Sequence, residues 1–302
     1  MKSPPGEKRF SAVLAWTRSL FIPLAFCFFV YSAYKSANQL QPLLARLSLW
    51  HLTGAWVCWN LAQAVGPLST VALARMLKLP YGYRSLAVVS MLRIPARYLP
   101  GGIWQSVARF AAYASMDISK RNSFTILVVE HLAALGMSVA IGSLVIIWSD
   151  GLGAMHHLAP LALIAALILL AVASWWPTRQ QGIANLHPRD ILLLTGSVAS
   201  FWLLAAASFC LYWSAIVHSS WQEVPRIASC YLLSWAAGFI APFAPQGLGV
   251  FEWVASNLLS TDQSFSLNVT ILAGFRLVVM ASDLCVWAAA MVYARVTHSV
   301  RR

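Results

Sequence analysis

Three arginines within long apolar stretches of the sequence could recognise an anion: Arg93, Arg97 and Arg276. Glu252 is assigned to the same site, where it could pair with a buried arginine. Arg276 is the most isolated of the three arginines, because uncharged and mostly apolar residues surround it on both sides. An arginine inside a membrane-spanning helix is costly unless it is paired or hydrated. A guanidinium group matches a phosphate as a planar fork, so these residues predict a site for a phosphate-bearing ligand.

The same residues also allow a structural interpretation. Asp283 follows Arg276 by about two helical turns, so the two side chains share a helix face. A buried ion pair of Arg276 with Asp283 or with Glu252 would stabilise the fold without any ligand. Arg93 and Arg97 are expected on one helix face, where they would hold an anion between them or extend to lipid headgroups at the membrane surface.

Two breaks rich in glycine and proline interrupt apolar stretches near these charges. The first stretch covers about 85–115 and the second about 228–260. Each predicted half-helix has about 15 residues and a length of about 22 Å, which is too short to cross a bilayer core of about 30 Å. The breaks therefore predict two re-entrant helical hairpins, and kinked spans are the alternative.

Each break is expected to start a new helix, whose unpaired N–H groups would attract an anion. Simple proline kinks would explain the same breaks without a ligand. The residues assigned to the two tips are Pro100, Gly101, Gly102, Trp104, Pro245, Gly247 and Gly249. Because the tips occupy corresponding places in the two halves, they suggest an inverted repeat, as found in transporters.

Glu130 and His131 are neighbours within another apolar stretch. They could form a proton relay, and pairing of Glu130 with a hairpin arginine is the alternative. Asp283 is assigned to the same group of relay or ion-pair residues.

Composition predicts an all-α polytopic membrane protein with a single domain, 1–302. The 302 residues are 60% hydrophobic and only 10% charged, whereas a soluble domain has about 25% charged residues. The net charge of +12 therefore indicates membrane-flanking residues rather than a nucleic-acid partner. Six spans are predicted, at about 10–34, 48–72, 123–148, 158–176, 190–217 and 268–294.

The distribution of lysine and arginine predicts that both termini are cytoplasmic. Lysine and arginine are in excess on the cytoplasmic side only if each broken stretch returns to the side of the membrane from which it enters. The residues assigned to the cytoplasmic side are Lys2, Lys8, Arg9, Arg75, Lys78, Arg84, Arg109, Lys120, Arg121, Arg179, Arg189, Arg295, Arg301 and Arg302.

No catalytic residue, metal or cofactor is predicted. The sequence has no P-loop, HExxH, GxSxG or Asp-x-Asp motif. Its five cysteines are scattered through apolar stretches without a CxxC pair, and they predict packing residues rather than a metal site.

At the two breaks the sequence resembles the lysylphosphatidylglycerol synthase transmembrane-region family. Residues 97–104, Arg-Tyr-Leu-Pro-Gly-Gly-Ile-Trp, resemble that family's Y-[LI]-P-G-x-[VI]-W element. Residues 245–252, Pro-Gln-Gly-Leu-Gly-Val-Phe-Glu, resemble its P-x-G-[LI]-G-x-x-E element, with Gln246 in place of a small residue. Arg276 matches an arginine of the following span, and the resemblance covers roughly 10–295.

The resemblance implies a bacterial inner-membrane protein that moves or handles lipids, often anionic phospholipids or lipid-linked sugars. No stretch resembles the soluble aminoacyl-transfer domain of the fused synthases, so aminoacyl transfer is not expected. The prediction is a flippase or transporter for an anionic phospholipid or a lipid-linked glycan. The alternatives are a membrane enzyme of lipid or polyprenyl-glycan metabolism and a scaffold for envelope glycosyltransferases; a homo-oligomer is compatible with each.

Overall fold

The computed structural model describes residues 27, 30–32, 34–99, 103–149, 155–181, 187–217, 219–241, 244, 247–259 and 264–299. Throughout these ranges the regular structure is helical, with no β-strand. A first helix, α1, covers 34–45. The further helices are α2 (Leu49–Val65), α3 (Pro67–Met76), α4 (Tyr83–Leu92), a 3-10 helix (Ile94–Tyr98), α5 (Trp104–Ala114), α6 (Lys120–Ser149), α7 (Met155–Gln181), α8 (Pro188–Ile216), α9 (Val224–Ile240), α10 (Val250–Leu259) and α11 (Phe265–Ser299).

Five helices are long and apolar enough to cross a membrane. They are Leu49–Met76, Lys120–Ser149, His156–Pro177, Pro188–Ile216 and Phe265–Thr297. The first of them joins α2 and α3 through Gly66, which keeps a helical backbone. These helices confirm five of the six predicted spans, and the sixth, at 10–34, lies mostly outside the described residues. The protein is therefore an all-helical, multi-pass membrane protein.

The two broken stretches consist of short helices, as the sequence predicts. In the first, α4 ends at Leu92 and the chain continues as the 3-10 helix Ile94–Tyr98. Pro95 lies at the start of this helix, and its missing N–H is one reason that α4 does not continue. In the second, α9 ends at Ile240 and α10 begins at Val250. The tip residues 100–102, 242, 243, 245 and 246 lie outside the described residues.

An aromatic cluster fixes the helices that carry the charged residues. The Phe209 ring on α8 stacks on Tyr231 of α9, with 4.8 Å between ring centroids. It also meets Phe251 of α10 and Phe275 of α11 edge-on, at 6.4 Å and 5.1 Å. Because Phe251 and Phe275 directly precede Glu252 and Arg276, packing of these rings sets where the two charged side chains begin.

Two glycines allow the second broken stretch to fold back closely on itself. Gly247 has φ +66°, and a Cβ atom added to it would lie 2.7 Å from the Cα of Gly238 on α9. Gly249 also has a positive φ, of +79°. A side chain at Gly247 is therefore excluded both by its backbone conformation and by the backbone of α9.

We expect Gly247→Ala to lower the free energy of unfolding by about 1–3 kcal/mol, the usual range for a strained backbone conformation. Gly196→Ala on α8 is the matched control, because its added Cβ would meet no atom within 4 Å. Alanine within a helix is favoured over glycine, so the control should be neutral or stabilising. Thermal unfolding in detergent measures both variants, and equal melting temperatures would contradict the close approach of Gly247 and Gly238.

Candidate anion-binding site

Arg276 and Glu252 form an ion pair that joins α11 to α10. The Arg276 Nε–H donates to Oε1 of Glu252. The Glu252 side chain is fully buried, whereas 26% of the Arg276 side chain is exposed. The carboxylate is therefore shielded from solvent, whereas part of its arginine partner is accessible.

Glu252 also fixes the start of α10. Its Oε2 accepts the backbone N–H of Gly249 at 2.7 Å. An acidic side chain in the first turn that reaches back to the N–H preceding the helix is half of a capping box. The second motif of the sequence is thus linked through one carboxylate to Arg276.

A second ion pair joins the first broken stretch to α11. Arg97 in the 3-10 helix donates to Oδ2 of Asp283 at 2.9 Å. The Tyr98 hydroxyl donates to the same oxygen at 2.7 Å, and Gln63 on α2 donates to Oδ1. Asp283 is fully buried, so these three donors provide the polar partners that its charge requires.

We call Arg97, Asp283, Glu252 and Arg276 the buried quartet. The quartet is electrically neutral, and its two carboxylates are fully buried, whereas its two arginines are 21% and 26% exposed. Both ion pairs have one member on α11, where Arg276 and Asp283 are seven residues, or about 10 Å, apart. The accessible part of the quartet is therefore positive, and it can bind an anion.

A separate polar cluster connects α3, α5 and α6. Arg109 pairs with Glu130 at 2.7 Å and donates to the hydroxyls of Tyr113 and Thr70 at 2.6 Å and 3.2 Å. Thr70 in turn donates to Glu130. Only 12% of the Arg109 side chain is exposed. Arg109 therefore lies within α5 and neutralises a carboxylate of which only 11% is exposed, and its assignment to the cytoplasmic side stays a prediction.

His131 faces a different environment from Glu130. Its Nδ1 lies 2.6 Å from the carbonyl oxygen of Leu127, and its Nε2 lies 3.4 Å from the Ser106 hydroxyl. Its ring stacks on Phe239, beside a mostly apolar groove of about 480 Å³ between α5, α6 and the end of α9. Among the described residues no hydrogen bond joins Glu130 to His131, and the relay predicted from their adjacency has no direct link there.

The structure separates Arg93 from Arg97. Arg93 ends α4 and precedes the 3-10 helix, so the α-helical spacing that would align the two arginines does not apply. Trp104 begins α5 and is 44% exposed. Of the predicted tip residues, Pro100, Gly101, Gly102 and Pro245 lie outside the described residues.

Sequence reasoning missed four polar partners of these ion pairs: Gln63, Thr70, Tyr98 and Tyr113. A glutamine in the middle of an apolar span and a tyrosine directly after Arg97 were the available signals. A metal site has no support within the ranges that the structure describes, where no three His, Cys, Asp or Glu side chains cluster.

In comparisons with known proteins, no family model matches the chain, and none of the curated proteins matches it. The resemblance at the two breaks therefore remains a prediction. The class that the fold and the site define is an all-helical, multi-pass membrane protein with two buried ion pairs on its last long helix.

Proposed function

We propose that the protein is a flippase or transporter that moves an anionic lipid between the leaflets of a bacterial inner membrane. Arg97 and Arg276 contact the phosphate of the headgroup, which belongs to a phospholipid or a lipid-linked glycan. One observation carries this proposal: two partly exposed arginine side chains pair with two fully buried carboxylates at one long apolar helix.

The ion pairs explain how arginines persist in such an apolar chain before the lipid arrives. Glu252 holds Arg276 and Asp283 holds Arg97, so neither charge is buried alone. A guanidinium group binds a phosphate oxygen more strongly than it binds an uncharged acceptor, because the guanidinium group and the phosphate carry opposite charges. The lipid tails stay in the bilayer while the headgroup passes between the two broken stretches.

The short helices support re-entrant hairpins in both broken stretches. Helices α9 and α10 pack against each other, and Gly238 approaches Gly247 at the turn between them. Helix α10 has only 10 residues, which gives a length of about 15 Å, half of a bilayer core. With both hairpins returning to their own sides, the five described spans and the predicted span at about 10–34 place the two termini on one side, which the distribution of lysine and arginine assigns to the cytoplasm.

The packing supports an inverted repeat. In the first half α5 packs on α6, and in the second α10 packs on α11. Helix α9 packs on α6, just as α4 and the 3-10 helix pack on α11. Helix α7 packs on α6, and α1 contacts α11 through a hydrogen bond of 3.0 Å between the Ser36 and Thr270 hydroxyls. Exchanging the halves therefore preserves these helix neighbours, a relation found in transporters built from inverted repeats.

In each half, an ion pair joins the short helix after the break (α5 or α10) to the next long helix (α6 or α11). The positions of the positive and negative charges are exchanged between the two halves. The short helix carries Arg109 and the long helix carries Glu130 in the first half, whereas the short helix carries Glu252 and the long helix Arg276 in the second. The two pairs hold equivalent helices together.

Reversal of the first pair tests this equivalence. We expect the double variant Arg109→Glu/Glu130→Arg to be closer in stability to wild type than either single variant, because the Thr70 and Tyr113 hydroxyls can donate or accept. Each single variant leaves two like charges buried together and should lose several kcal/mol. Thermal unfolding in detergent measures all three, and a double variant no better than the worse single variant would contradict the equivalence.

The test of the proposed function is a leaflet assay in sealed vesicles. Purified protein is placed in vesicles with traces of fluorescent phosphatidylglycerol or, separately, fluorescent phosphatidylcholine, and an impermeant quencher is added outside. We expect the protein to accelerate quenching of the inner-leaflet phosphatidylglycerol well above that of phosphatidylcholine.

The other outcomes separate the alternatives. Quenching at the rate of protein-free vesicles for both lipids would contradict transport of this headgroup and favour a scaffold for envelope glycosyltransferases. A chemically altered lipid, detected by mass spectrometry of the extracted vesicles, would favour an enzyme of lipid metabolism.

A further inference from the structure

We propose that a proton enters the site together with the anion, and that Glu252 is the group that takes it up. This inference rests on the proposed function, because it concerns how the anion's charge is balanced. It adds an energy source: a proton gradient would drive the lipid across the membrane.

The charges of the buried quartet require such a balance. Its two arginines and two carboxylates sum to zero before any ligand binds. A phosphodiester headgroup would add one negative charge beside two fully buried carboxylates. An uncompensated charge in an apolar interior is strongly unfavourable, whereas one added proton restores neutrality.

The hydrogen bonds decide which carboxylate accepts the proton. When Arg97 turns to the phosphate, Asp283 keeps Tyr98 on Oδ2 and Gln63 on Oδ1, so both of its oxygens still have donors. When Arg276 turns to the phosphate, the Gly249 N–H on Oε2 is the one donor that the described residues leave to Glu252. Arg276 is the partner that those residues give to Oε1, so its departure makes this oxygen available to a proton.

The groups around Glu252 leave this assignment intact. Arg276 is the charged group that α11 places against it, and α9 contributes the buried Tyr231, whose hydroxyl is uncharged at neutral pH. Asp283 lies seven residues further along α11 and already has its own arginine. Arg93 ends α4 outside the two ion pairs, and an anion balanced by Arg93 instead would bind without any proton.

The test counts protons by titration calorimetry of the full chain in detergent. Dihexanoyl phosphatidylglycerol is the probe, and dihexanoyl phosphatidylcholine, a zwitterion whose ammonium group already balances its phosphate, is the net-neutral comparison. Titrations in buffers of different ionisation enthalpy give the number of protons taken up for each lipid bound. For wild type we expect about one proton and, by linkage, an affinity that falls about tenfold for each unit of rising pH.

Glu252→Gln carries the neutral form permanently, so we expect it to bind the probe with no proton uptake and little dependence on pH. Asp190→Asn is the matched control, because Asp190 lies on α8 and pairs only at 4.0 Å with an exposed arginine; it should still take up one proton.

The possible failures are distinguishable. Preferential binding of phosphatidylglycerol by wild type without proton uptake overturns this inference and leaves the proposed function standing. Proton uptake that persists in Glu252→Gln overturns the assignment to Glu252. Equal binding of the two lipids overturns the proposed function itself, and with it the coupled proton.

Discussion

Replacement of Arg276 by alanine is expected to abolish movement of an anionic lipid while the protein still folds. The variant removes one of the two guanidinium groups that face the headgroup, and no other residue described on α10 or α11 supplies a positive charge at that position. It also leaves Glu252 buried with only the Gly249 N–H, and an uncompensated partner of this kind costs about 3–5 kcal/mol. A double variant, Glu252→Gln/Arg276→Ala, should recover most of that stability and remain inactive.

Two measurements check this expectation. The leaflet assay with fluorescent phosphatidylglycerol should show no acceleration by either variant, and native mass spectrometry should show that wild type retains an anionic lipid that both variants lose. Arg295→Ala is the matched control, since Arg295 lies on the same helix with an exposed side chain. A folded Arg276→Ala protein with full activity would show that the Arg276–Glu252 pair is structural only.

Loss of Asp283 should give the largest decrease in stability of any single replacement in the site. Asp283→Ala deprives Arg97, Tyr98 and Gln63 of one shared acceptor. Removal of a buried charged partner costs about 3–5 kcal/mol, and each further unsatisfied buried donor adds about 1–3 kcal/mol where water cannot replace the carboxylate. We therefore expect the first broken stretch to separate from α11.

A double-mutant cycle with Arg97→Ala isolates the ion pair from the other contacts. The coupling energy of residues in direct contact is about 0.5–3 kcal/mol, so the double variant should be less damaged than the sum of the two single variants. Thermal unfolding in detergent provides the measurement. Asp190→Ala, which removes an ion pair of 4.0 Å with an exposed Arg75, should change the melting temperature little. Strict additivity of Asp283→Ala and Arg97→Ala would contradict a direct pair.

The spans could be predicted from the sequence because length and hydropathy alone determine which helices can cross a membrane. The five described spans differ from the predicted ones by only a few residues at their ends. The breaks were equally visible, since clustered prolines and glycines end a helix, whereas an isolated one such as Pro160 within α7 does not.

The pairing of charges could be predicted only in part. Arg276 with Glu252, and Glu130 with an arginine of the first broken stretch, were among the pairings that the sequence allowed, and the structure shows both. The shared face of Arg276 and Asp283 favoured a contact between them equally, but seven residues of helix separate them by about 10 Å, and each reaches a different short helix. The prediction that Arg93 and Arg97 share a face assumed a continuous α-helix, but the chain forms a 3-10 helix over Ile94–Tyr98. Arg109 resembled a flanking charge because its partner, Glu130, lies on another helix.

The last long helix carries one member of each ion pair of the quartet, Arg276 towards the second broken stretch and Asp283 towards the first. A straight helix transmits a shift at one of these positions to the other. The free energy of binding a ligand that breaks one ion pair then depends on whether the other ion pair is intact. By thermodynamic reciprocity, the state of the second pair changes the affinity at the first by the same factor as the first changes it at the second. A replacement in the first half, at Tyr98 for example, should therefore change the affinity at Arg276 without touching the ligand.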